Sequence, residues 1–236
     1  MIDNSIYKEI KNIYTHHPPL VKEAFKLQKE LVKRVVEKNY VKQLKTVAGV
    51  DLALLPKQKK MICGIIVFSY PDMIEIERVW TINDEIFPYI PGLLAFREGP
   101  AIIKTFNLLN TRPDVLIVDG HGIAHPRRFG IACHAGVLLD TPSFGIGKKM
   151  LYGVYDQLDS DKGAFSFLKS KKDDEIIGAV LRTRDNVKPV FVSVGNKIDL
   201  KTAMDIAFNC NSGYRIPIPT READKYVAEI KKEINQ

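Results

Sequence analysis

The spacing of apolar residues along this chain shifts between three or four and two, and the shifts mark its elements. From about residue 19 to residue 38, Val21, Ala24, Phe25, Leu31, Val32 and Val35 recur at helical spacing and predict an amphipathic helix. Pro19 suits its first turn, where a missing N–H forfeits no bond. The lysines on the other face read as solvated surface. Three strand-like runs follow at 46–54 (TVAGVDLAL), 61–69 (MICGIIVFS) and 74–82 (IEIERVWTI), joined by short turns. Consecutive strands on short connections predict an antiparallel meander. The pattern then alternates: a helix at 100–109, a wholly apolar strand at 115–118, a helix at 130–139, strands at 176–182 and 190–194, and helices at 199–209 and about 220–234. Asp199 is placed to cap the first of the last two helices. This order predicts an α/β fold, a mixed sheet with flanking helices.

Composition adds limits. A chain of 236 residues can bury a sizeable core without disulfides, and residues 1–236 read as one domain. The three cysteines, Cys63, Cys133 and Cys210, are odd in number and widely separated, with no C-x-x-C pair. They suggest neither a zinc site nor a disulfide framework, and a reduced, intracellular protein is expected. The N-terminal stretch has scattered charges and no apolar h-region, so no signal peptide is expected. No run approaches the roughly 20 apolar residues of a membrane span. A soluble, cytoplasmic protein follows as the expectation. The formal charge of +7 favours a polyanionic partner, but only weakly.

Two acidic residues stand in unusual places. Asp51 interrupts an apolar strand, between Val50 and Leu52. A carboxylate there is costly unless it is paired or bound to a cation. Asp119 ends the apolar run VLIVD, at the carboxyl edge where α/β sheets place ligands. Together they offer hard oxygen ligands suited to Mg²⁺, although a salt bridge and a turn cap would explain each one singly. Glu98, beside Arg97, is either a surface ion pair or a third carboxylate that completes a metal site directly or through water. Residues 119–130 read DGHGIAHPRRFG. Its glycines permit close backbone approach, and Arg127 and Arg128 offer guanidinium forks that match phosphate oxygens. Lys148 and Lys149 follow the short run SFGIG; alone, such a pair reads as solvated surface.

These segments carry a specific resemblance. FPYIPGLLAFREGPA at 87–101, VDGHGIAHPRRFGIACHAG at 118–136 and TPSFGIGKKMLYG at 141–153 resemble the signature blocks of the endonuclease V family. GVDLAL at 49–54 and YRIPIPTREAD at 214–224 are similar to its first-strand and C-terminal blocks, and the likeness spans roughly residues 20–232. The resemblance implies a ribonuclease H-like fold, with which a three-strand meander before αβ units is compatible. It implies Mg²⁺-dependent hydrolysis of the second phosphodiester bond 3′ to deoxyinosine, with Mn²⁺ as a possible substitute ion. Carried over by position, Asp51 and Asp119 correspond to metal ligands, Glu98 to the third catalytic acid and Lys148 to the active-site lysine. Pro88, Tyr89, Ile90 and Pro91 correspond to a wedge that separates the strands at the lesion. Gly92, Leu94, Gly120, His125 and Ile131 correspond to walls of a base pocket, with Arg127 among the DNA-binding residues. The expected partner is DNA containing deaminated bases, bound by a monomer with no membrane involved.

One block departs. Where the family carries a histidine after the late apolar strand, counted in its catalytic set, this chain reads VSVGNKIDL, with Asn196 at that position. Asparagine has no proton to exchange near neutral pH. The resemblance therefore leaves three readings: a variant that retains activity, a deliberate inactivating substitution, or a weakly catalytic lesion-binding protein. Reduced but not abolished cleavage is the expectation. An inosine-specific endoribonuclease of the same fold is the other alternative.

Overall fold

A computed structural model of the chain describes residues 4–16, 20–84 and 87–235. Its elements are α1 (Asn4–Thr15), α2 (Val21–Leu31, extended by one 3₁₀ turn), β1 (Thr46–Leu55), β2 (Lys60–Ser69), β3 (Glu75–Asp84), α3 (Leu94–Phe106), β4 (Val115–Asp119), α4 (Ile131–Leu139), β5 (Ser143–Gly147), β6 (Phe165–Lys169), β7 (Ile176–Leu181), β8 (Val190–Asn196), α5 (Leu200–Asn209) and α6 (Ile218–Ile234). The strands form one mixed sheet in the order β3-β2-β1-β4-β5-β8-β7-β6. β1, β4 and β5 run parallel to one another; the remaining pairings are antiparallel. The α/β class, the mixed sheet and the opening meander are as the pattern predicts. Among the described residues no helix is long and apolar enough to cross a membrane.

Several boundaries differ from the expectation. The first predicted helix occupies only Val21–Leu31 with its 3₁₀ turn, and Pro19 lies outside the described residues. α3 starts six residues before Pro100, which sits in the helix interior and leaves the Phe96 carbonyl without its usual donor. β5 and β6 have five residues each, too short and, in β5, too glycine-rich to declare themselves by periodicity. α1 lies outside the elements that the pattern predicts; it docks through Ile10 and Ile13, both buried at helical spacing.

Alternation along β1 sorts its residues between two layers. Ala48 and Val50 face α3 and α4, in a core with Ala95, Ile102, Ala132 and Ala135. The odd residues face α6. There Gly49 and Gly64 permit close contact: a Cβ on Gly49 would lie 2.0 Å from the Pro219 carbonyl oxygen, and one on Gly64 2.7 Å from Val227. These two glycines let α6 lie directly on β1 and β2. That placement carries the first turns of α6 to the edge where β1 and β4 carry their carboxylates.

Candidate active site

The parallel register of β1 and β4 pairs Val50 with Val118, so the next residues, Asp51 and Asp119, stand side by side. α6 supplies a third carboxylate, Asp224. Oxygens of Asp51, Asp119 and Asp224 all lie within 4.8 Å of one another. Ligands of one octahedral ion with bonds of about 2.0–2.1 Å sit at most about 4.2 Å apart. A small contraction would therefore close the three on a hard cation. An all-oxygen donor set of this kind fits such an ion.

The electrostatics support this fit. Burial pushes the Asp51 carboxyl up to about 8, helped by Asp119 and Asp224 and opposed by Lys148. Glu98, half-buried on α3, is pushed up to about 7, mainly by burial and further by Asp119, against the opposing charge of Arg97. Carboxylates raised by burial and mutual repulsion recover their charged form when a cation arrives. The ammonium of Lys148, just past the end of β5, meets these acids: its Nζ lies 2.6 Å from Asp119 Oδ2 and 3.5 Å from Asp224 Oδ1. Those acids hold its pKa above the usual lysine value, outweighing the opposing effect of burial.

Beside this cluster lies a cavity of about 230 Å³. Gly92, Leu94, Gly120, His125 and Ile131 all line it, and Tyr89, 65% exposed, borders it. Pro88 and Pro91 are exposed and Ile90 half-buried, so the turn projects from the surface. His125 is pushed down to about 4 by burial and by the Arg127 charge, so it is neutral at physiological pH. Its Nδ1 accepts from the Arg127 N–H at 3.1 Å, which places the ring proton on Nε2.

The model of one family, endonuclease V, matches residues 29–225. The chain belongs to the endonuclease V family. The endonuclease V of Dictyoglomus turgidum is 47% identical over 204 residues, covering 86% of this chain and 88% of that protein. The crystal structure of Streptomyces avermitilis endonuclease V superposes with a TM-score of 0.87 at 34% identity, covering 93% of this chain and 96% of that one. The Ciona intestinalis endonuclease V, in complex with a 24mer DNA containing an inosine followed by a ribo-adenosine, superposes with a TM-score of 0.80 at 28% identity, covering 91% and 98%. The ribonuclease H-like fold is that of these structures. As a member of this family, the chain is a DNA repair endonuclease, with an acidic cluster able to hold a metal ion.

Within this member of the family, two expected residues stand away from the place the sequence suggested. Asn196 is not with the acids. It pairs with Ser143 at the start of β5, whereas the acidic cluster lies beyond the other end of that strand. Its side chain is 2% exposed; Oδ1 accepts from the Val36 N–H at 3.1 Å and Nδ2 donates to the Gly136 carbonyl at 3.0 Å. Those bonds tie the segment after α2 to α4, so the position does structural work in this chain. Arg127 turns inward. Its guanidinium donates to Gln28 Oε1 and, at 2.7 Å, to the Gly92 carbonyl, and it lies over the Phe25 ring. Buried Gln28 also donates to Gly92 O at 3.0 Å and to Phe129 O at 2.8 Å. Together they brace Gly92, whose φ of +80° makes the turn after the projecting tetrapeptide. Arg128 is likewise taken, by Glu37 and Glu175. Sequence reasoning missed Asp224. It sits on the exposed side of a charged helix, and its only signal was its place at the end of the YRIPIPTREAD block.

Proposed function

We propose that this endonuclease cleaves DNA beside deaminated bases, deoxyinosine above all, at the second phosphodiester bond on the 3′ side of the lesion. The observation that carries the reading is the adjacency of three converging carboxylates to a base-sized cavity with an exposed tyrosine at its border. The cavity is smaller than the roughly 300–1,000 Å³ of drug-sized ligand sites, which suits one planar base.

In this reading Asp51, Asp119 and Asp224 hold Mg²⁺, with Mn²⁺ as a substitute, and Glu98 completes the set directly or through water. The bound ion would supply Lewis acidity toward the phosphate and a more acidic water. Tyr89, stiffened between Pro88 and Pro91, inserts into the stack at the lesion. Unstacking costs a few kcal/mol per step, and a mismatched or deaminated base resists it least. The extruded base enters between Gly92, Gly120 and Ile131. Lys148, held on Asp119, brings positive charge toward the developing phosphorane. The inosine-containing DNA of the Ciona complex supports this substrate class, and its ribo-adenosine keeps inosine-containing RNA as the second reading.

Single-turnover reactions on an end-labelled duplex with one deoxyinosine, in Mg²⁺ and in EDTA, test the proposal. A Mg²⁺-dependent nick one nucleotide beyond the lesion's own 3′ phosphate is expected. Selective binding without a nick would leave a lesion-binding protein, and faster cutting of a matched inosine RNA would favour the endoribonuclease.

A further inference from the structure

The segment leaving β5 has two duties within four residues. Lys148 reaches to Asp119, while Lys149, Met150 and Leu151 line the cavity. Its main chain is held from two sides. His121 Nε2 lies 2.9 Å from the Lys149 carbonyl oxygen, to which it must donate. The His121 ring packs over Gly147, where a Cβ would come within 2.4 Å of it. From the other side comes Arg215, on the segment between α5 and α6. Its Nη2 donates to the Lys148 carbonyl and, at 2.9 Å, to that of Pro189; its Nε donates to the Lys188 carbonyl at 2.9 Å. Arg215 is itself fixed, because its own carbonyl accepts from Thr183 Oγ1 at 2.6 Å.

We infer that Arg215 is a positioning residue for the reaction: it sets Lys148 by holding that residue's main-chain carbonyl against the turn that enters β8. The inference rests on the proposed role of Lys148. All of the partners named for the Arg215 guanidinium are neutral carbonyls from two separate segments, so its use is to fix one segment against the other. A planar fork of five donors suits three carbonyls; a lysine ammonium offers three donors with no fixed plane. The reach of Nζ is measured from the Lys148 main chain, so fixing that residue's carbonyl narrows the positions from which the flexible side chain can meet Asp119. Misplacement of a reacting group by about 1 Å can lower a rate by roughly 10²-fold.

The test is a double-mutant cycle of Arg215→Met and Lys148→Met, read as single-turnover cleavage of the deoxyinosine duplex in Mg²⁺ and as duplex affinity in EDTA. Arg215→Met is expected to slow cleavage by about 10- to 100-fold with affinity kept within about threefold, and Arg215→Lys to recover part of the rate. In the Lys148→Met background the same change is expected to cost less than about threefold, because coupled residues are non-additive. An equal loss in both backgrounds, or a loss of affinity matching the loss of rate, would overturn the inference and leave the role of Lys148 intact. Wild-type cleavage by Lys148→Met would overturn both. Arg215→Gln, which keeps two donors, replaces the methionine variant if that one melts early.

Discussion

The two ends of the β5–β8 ladder carry the two polar features that stand out most in this part of the sequence, and their duties differ. At one end Gly147 pairs with Phe191, and the next residue, Lys148, reaches Asp119. At the other end Ser143 pairs with Asn196, whose amide is sealed between the Val36 N–H and the Gly136 carbonyl. Four residues of strand, roughly 13 Å at about 3.3 Å per residue, separate the ends. The difference follows from strand direction. β1, β4 and β5 run parallel, so their carboxyl ends share one edge, and the chemistry gathers there. β8 runs against β5, so its carboxyl end, and Asn196 with it, falls on the opposite edge.

The largest effects are expected at the acidic edge. Asp51→Asn or Asp119→Asn should lower single-turnover cleavage by about 10³-fold or more, at the upper end of what one lost electrostatic contact to a transition state causes. Either variant cleaving near the wild-type rate would remove the metal-site reading. The wedge should come next. Tyr89→Ala is expected to weaken discrimination between deoxyinosine duplex and normal duplex by about 5- to 150-fold, the value of one base–aromatic stack of about 1–3 kcal/mol. Competition binding measures this, and an equal loss on both duplexes would refute the wedge.

At the opposite edge the expectation is stability rather than rate. Asn196→Ala should lower unfolding free energy by about 1–3 kcal/mol, because it strands the half-buried Val36 donor and the buried Gly136 acceptor, while the rate per folded molecule stays within about twofold. Asn196→His should likewise leave that rate unchanged; a large gain would restore a catalytic role for this position. The smallest effect concerns α4, which supplies Gly136 to Asn196 and carries fully buried His134. Tyr14 Oη and His134 Nε2 share a hydrogen bond, and burial pushes the imidazole down to about 3. Between that value and the ordinary 6.5 the unfolded chain binds a proton that the native chain does not. The contribution of His134 is therefore full above about pH 6.5 and is lost as pH falls toward 3. Urea unfolding between pH 6.5 and 4.5 should show His134→Gln with a shallower acid slope than wild type, by at most about 1.4 kcal/mol per pH unit.

How far the sequence could be read follows from the same contrast. Asp51 and Asp119 were legible because a carboxylate inside or at the end of an apolar strand violates a strong preference. Asp224 violated none: an exposed aspartate on a helix rich in Lys and Glu looks like any solvated residue, and only tertiary contact through Gly49 and Gly64 brings it to the cluster. Asn196 drew attention as a departure from a family pattern, yet a pattern does not say which edge of a sheet a residue occupies. Arg127 read as a phosphate fork because side-chain direction in a loop is invisible to spacing. The meander was plain from alternation, whereas β5, at five residues with two glycines, carried too little periodicity to be seen.

The most direct test of the account compares Asp224→Asn with Asn196→Ala in single-turnover cleavage of one deoxyinosine duplex in Mg²⁺, at matched concentrations of folded protein. Asp224→Asn is expected to lose at least about 10²-fold, with Asn196→Ala within about twofold of wild type. Near-normal cleavage by Asp224→Asn together with a large loss in Asn196→Ala would contradict it.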